Sequence, residues 1–112
     1  MFSMVYAQQP GRFMSRNLVF EDFADKVEQV FVVSDDGVPA IPLTLAEVER
    51  LPAKRIPPGA RPPFSLVFLA RDPRVLPQRT YRLDHNDIGA MEIFLVPIGK
   101  DAQGVSYQAI FN

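Results

Sequence analysis

"PPFSLVFLA", Pro62 to Ala70, decides the fold. A proline has no amide donor and a fixed φ, so the pair Pro62-Pro63 cannot lie in a central strand or a helix interior. Directly after it, Phe64, Leu66 and Phe68 alternate with Ser65, Val67 and Leu69. Period-two alternation rich in aromatic and branched side chains predicts a β-strand. Both faces are largely apolar, so the strand is expected to be covered on both sides. The prolines mark where pairing begins.

Upstream, residues 52–63 (PAKRIPPGARPP) hold five prolines and three cations, an exposed and partly polyproline-like loop. Its Pro58 and Pro62 are one residue too far apart for PxxP spacing, which argues against a docking ligand. "AIPLTLAEVERL" (40–51) carries two signals. Ile41, Leu43 and Leu45 alternate as a strand. Leu45, Val48 and Leu51 have helical spacing, and Thr44 and Glu47 have that of a capping box. A strand with a bulge or phase break near Ala46 accommodates both, and Pro42 places it at an edge or a strand start. "EQVFVVS" (28–34) predicts a strand with Val30 and Val32 on one face and Phe31 and Val33 on the other. "NLVFEDFADKV" (17–27) predicts a short helix, with Phe20, Phe23, Ala24 and Val27 on one face and Asn17 as its cap. So short a helix must dock on something.

Downstream, "TYRLD", "GAMEIFLVPIG" and "VSYQAIF" are three strands joined by the turn signals "HNDIG" and "KDAQG", an antiparallel meander. Met91, Ile93 and Leu95 share one face of the middle strand; Phe94 and Val96 share the other. "RDPRVLPQ" is a loop anchored by Leu76. The fold class is mostly β: a small antiparallel barrel or sandwich of about six strands, with one short N-terminal helix covering an open end or face. The expected core is Phe23, Val32, Leu43, Leu45, Phe64, Leu66, Phe68, Tyr81, Leu83, Ile93, Leu95, Tyr107 and Phe111.

A chain of 112 residues, 47% of them hydrophobic, fits one globular domain that needs no disulfide or metal staple. Residues 17–112 form a single β-rich domain, and 1–16 precede it as an arm. Two readings of the arm stand. It is an accessory extension, Met14 offering a second start, or it is extended and adds a strand to a neighbour through Phe2, Met4 and Tyr6. Residues 1–17 hold no sustained apolar core of a secretory signal, and no apolar run approaches the ~20 residues that cross a bilayer. A soluble cytoplasmic protein without membrane contact is the default expectation.

The net charge of −1 hides an asymmetry. Residues 17–49 carry one cation, Lys26, and eight carboxylates, net −7; residues 50–82 carry eight cations and one carboxylate, Asp72, net +7. Either the two segments pack beside each other, or the subunit is dipolar and meets an oppositely charged face of a partner or another copy. With an overall charge so near zero, nucleic acid is not an expected partner.

Catalytic chemistry finds little to work with. Cysteine is absent, and the single histidine, His85, lies in the turn "LDHND". Asp84, His85 and Asp87 do not make a metal site, since neighbouring strand side chains point to opposite faces. No glycine-rich phosphate loop or nucleophile elbow is present. No cofactor is expected.

Six stretches carry a likeness: Asp22-Phe23, "LTLAEV" from Leu43 to Val48, "PPFSLVF", "LPQRTYRL", "IFLVPIG" and the terminal "YQAIFN". On these, residues 18–112 resemble a family of small bacterial proteins known as a domain of unknown function. The resemblance implies no catalytic residues. It implies occurrence near phage-tail-like, collar-type fibre proteins, and so a structural or assembly role. Two functions follow as expectations. One is a non-enzymatic assembly protein, associating with itself or a protein partner through sheet edges, the arm and Arg-rich loops. The other is a module binding an anionic ligand or nucleic acid through Lys54, Arg55, Arg61, Arg71 and Arg74.

Overall fold

Hydrogen bonding closes the sheet on itself. The computed structural model describes residues 17–52 and 56–112. A helix, α1 (Phe20–Ala24), precedes six strands: β1 (Val30–Val33), β2 (Pro42–Arg50), β3 (Phe64–Ala70), β4 (Arg79–His85), β5 (Gly89–Asp101) and β6 (Gly104–Phe111). They pair in the order β1-β2-β3-β6-β5-β4, and β4 returns to β1. Every pairing is antiparallel. The architecture is therefore a barrel rather than a sandwich.

Antiparallel order divides the connections between two ends. The helix end holds α1, residues 51–52 and 56–63 of the β2–β3 connection, the β4–β5 turn and the C-terminus. The loop end holds the β1–β2 turn, the β5–β6 hairpin and the 71–78 connection, which crosses the barrel mouth because β3 and β4 are not neighbours.

The interior is filled by inward side chains, as small barrels require. Leu43, Leu45, Leu66, Phe68, Leu83 and Leu95 have no exposure. Phe23, also fully buried, plugs the helix end, its ring about 6 Å from those of Phe31, Phe64 and Phe111. Phe64 and Phe111 stack in parallel at 4.6 Å. At the loop end Leu76 anchors the crossing connection, as expected.

Two bulges set the barrel's corners. In β2 the register shifts between Leu45 and Glu47, so Ala46 is the extra residue. Inward positions change there from odd (Ile41, Leu43, Leu45) to even (Val48). The strand and helical spacings of this segment are one strand read across a bulge. A second shift, between Pro97 and Gly99, places Ile98 at a bulge in β5.

Four expectations are corrected. The helix ends at Ala24, so Val27 lies beyond it and is 41% exposed; buried Leu18 and Phe23 anchor this segment instead. Val19, not Asn17, caps it, with the Asp22 carboxylate accepting the Val19 N–H at 2.8 Å. In β1 the buried face is Phe31 and Val33, so Val32 leaves the core list; where both faces are apolar, the larger ring takes the interior. Phe111 packs on the core but is only partly buried. For association through sheet edges, among the described residues the closed sheet leaves β5 unpaired over Gly89–Leu95 towards β6 and over Val96–Asp101 towards β4. Where β5 outruns β4 past Leu95, Pro97, the Ile98 bulge and Lys100 blunt the edge.

Candidate functional site

The five expected cationic residues do not form one face. Lys54 and Arg55, like Phe2, Met4 and Tyr6, lie outside the described residues. Arg61 is at the helix end and turned inward. Its guanidinium donates to the Leu18 carbonyl (2.7 Å), the Asn17 Oδ1 (3.0 Å) and the Asn112 carbonyl (3.3 Å), and lies over the Phe111 ring. It ties the proline loop to both ends of the domain. Arg71 and Arg74 stand at the loop end, separated from Arg61 by all of β3, roughly 20 Å of strand.

Two ion pairs join the acidic segment to the basic one among the described residues. Arg50 pairs with Glu21 at 2.9 Å and covers the Phe20 ring; Arg79 pairs with Asp35 at 3.3 Å and covers the Tyr81 ring. Arg74 closes a two-pronged bridge on Asp72. That hydrogen bond, with the Arg74 backbone N–H, holds the Asp72 carboxyl down at about 2. Arg71, Glu47 and Glu49 have no hydrogen bond or ion pair among the described residues.

The loop end contains a cleft of about 330 Å³ between the β1–β2 turn and the crossing connection, lined by Val38, Pro39, Arg74, Val75, Pro77 and Arg79. Two buried tyrosines brace it from below. The Tyr107 hydroxyl accepts the Leu76 N–H (2.9 Å) and donates to the Arg74 carbonyl (3.4 Å), and Tyr81 donates to the Pro77 carbonyl. Burial pushes both phenols above their usual range. Tyr81 also lines the cleft, and both its arginines are matched by carboxylates.

His85, expected in the turn, is instead the last residue of β4, paired with Gly89 and buried, with defined partners. Its Nδ1 accepts the N–H groups of Asp87 (3.0 Å) and Ile88 (3.3 Å), which leaves Nε2–H to donate to the Gln29 Oε1 at 2.7 Å. The ring lies 4.5 Å from that of Phe31. Among the described residues no three His, Cys, Asp or Glu side chains converge as metal ligands. No helix among the described residues is long and apolar enough to cross a membrane.

The distinctive surface is the outside of β3, β6 and β5, which are consecutive in the barrel. Its outward positions are Ser65, Val67 and Leu69, then Ser106, Gln108 and Ile110, then Phe94, Val96 and Ile98. None is charged. Phe94, Ile98 and Ile110 are 48%, 50% and 53% exposed, against an interior already full. Beside it on β2, Glu47 and Glu49 stand opposite Val67 and Ser65, towards the helix end. Arg71 lies towards the loop end, beside Leu69, Thr44 and Pro42. The expected second cover of β3 is partial: Ser65 is buried, while Val67 and Leu69 are half-buried. Residue-by-residue reading missed this face. Its signal was the apolar residues at both parities of β3 and β5.

Residues 18–111 match the family described as Domain of unknown function (DUF6916). The chain belongs to this family. No curated protein and no solved structure matches it. The match covers all six strands and α1, so the barrel with its helix plug is the DUF6916 unit of this chain.

Proposed function

We propose that this DUF6916 domain is a non-enzymatic structural or assembly protein that docks on protein through the outer face of β3, β6 and β5. One observation carries the reading: three large apolar side chains, Phe94, Ile98 and Ile110, stand half-exposed on the outer face of a barrel whose interior needs none of them. Contiguous exposed apolar surface of this kind marks interaction sites. A fibre-type assembly, which the sequence likeness implies, falls within the same class.

The test is site-specific photo-crosslinking in cells. A photoreactive residue at Phe94 is expected to give a discrete adduct with a polypeptide, lost when Ile98 and Ile110 are both changed to lysine. The same residue at Val30, exposed on β1 across the barrel, is expected to give none. Equal labelling from both positions, or none from Phe94, overturns the reading.

A further inference from the structure

We infer that the occupant of this face is a second copy of the same chain, packed about a two-fold axis that crosses the strands. The inference rests on the assembly reading above and adds the partner. Its argument is charge. Along the β2–β3 margin of the face the two ends carry opposite signs: Glu47 and Glu49 towards the helix end, Arg71 towards the loop end. These three groups are exposed and have no hydrogen-bonding or ionic partner among the described residues, whereas Arg50, Arg74 and Arg79 all have one.

A two-fold axis lying between the facing sheets, perpendicular to the strands, keeps each strand over its own counterpart and reverses its direction. The loop end of one face then lies over the helix end of the other. Arg71 of each copy meets Glu47 and Glu49 of the other, twice per dimer, while Phe94, Ile98 and Ile110 are covered. Face-to-face sheets pack about 10 Å apart, which the arginine side chain spans at the margin. An isologous contact is self-complementary by symmetry and closes at two copies. A two-fold axis along the strands would instead reverse the strand order, laying the β2–β3 margin of one copy over the β5 margin of the other and leaving Arg71 without Glu47 or Glu49 opposite it.

The experiment is a charge swap on the full chain, read by sedimentation equilibrium. Each reversal, Arg71→Glu alone or Glu47→Arg with Glu49→Arg, turns two attractive contacts repulsive. Each is expected to weaken the dimer roughly tenfold, the size set by rim pairs of ~0.2–1 kcal/mol each. The triple variant is expected to return to within about threefold of the parent. All three positions are exposed, so circular dichroism should show an unchanged fold. The chain has no cysteine, so Gln108→Cys with a bismaleimide gives a second readout. Covalent dimer is expected there and not from Val30→Cys, across the barrel. A parent monomeric at every concentration, or a triple variant no tighter than the single reversals, overturns the inference. If the photoreactive Phe94 variant meanwhile yields an adduct of another mass, the assembly reading stands and only the second copy is lost.

Discussion

Replacing Phe23 with alanine tests how the helix end is sealed. The ring is fully buried and sits about 6 Å from three other rings. A phenylalanine buries roughly 150–250 Å². At ~25 cal/mol per Å² that is about 4–6 kcal/mol, an upper bound because the unfolded chain already hides part of this surface. A loss of about 3–5 kcal/mol is therefore expected, in line with other buried phenylalanines. The five-residue α1 has no stability of its own, so it loses its main anchor as well. Phe20 is the internal control. It lies edge-on to Phe64 under the Arg50 guanidinium and is only partly buried, so Phe20→Ala should cost about 1 kcal/mol. Urea unfolding followed by circular dichroism reads both. With a urea slope of ~1–3 kcal/mol per molar, Phe23→Ala should lower the midpoint by about 2 M. A loss below about 1.5 kcal/mol, or equal losses for the two variants, would refute the plug.

Three further outcomes are expected. A Cβ at Gly104, whose φ is +138°, would stand 1.9 Å from the Ala70 carbonyl oxygen. Gly104→Ala should therefore cost about 2–3 kcal/mol in thermal unfolding; a value within 0.5 kcal/mol of the parent would contradict the close approach. Tyr107→Phe removes the acceptor of the buried Leu76 N–H, for a loss of about 1–3 kcal/mol and faster amide exchange at Leu76; unchanged exchange there would show the brace is not made. Asp72 is held at about 2 by Arg74, below an unfolded value of about 3.9. Its pairing stabilises the fold above that unfolded value and is lost as pH falls through about 2. Melting temperature should thus drop less between pH 4 and pH 2 in Asp72→Asn than in the parent, and parallel curves would remove Asp72 from the acid response.

How far the fold was legible depended on parity and punctuation. The prolines before Phe64 fixed where β3 starts, and the change of inward parity between Leu45 and Val48 announced the Ala46 bulge. β1 was ambiguous because Val30, Phe31, Val32 and Val33 are apolar at both parities, so only packing chooses the face. Barrel closure depends on the β4–β1 pairing, which joins residues some fifty positions apart and leaves no local signal. The surface followed the same logic. Arg61 and Arg71 are close in sequence, yet β3 runs between them and carries them to opposite ends. The apolar residues at both parities of β3 and β5 were visible singly. That they share a face follows from β6 lying between those strands, a matter of strand order.

Mass in solution tests the central claim most directly. Light scattering over a concentration series would compare the parent chain with a variant carrying Phe94→Lys and Ile98→Lys, both outward and away from the core. The account predicts twice the chain mass for the parent and the single-chain mass for the variant, with matching circular dichroism. A parent that stays at single-chain mass, or a variant that keeps the doubled mass, would contradict it.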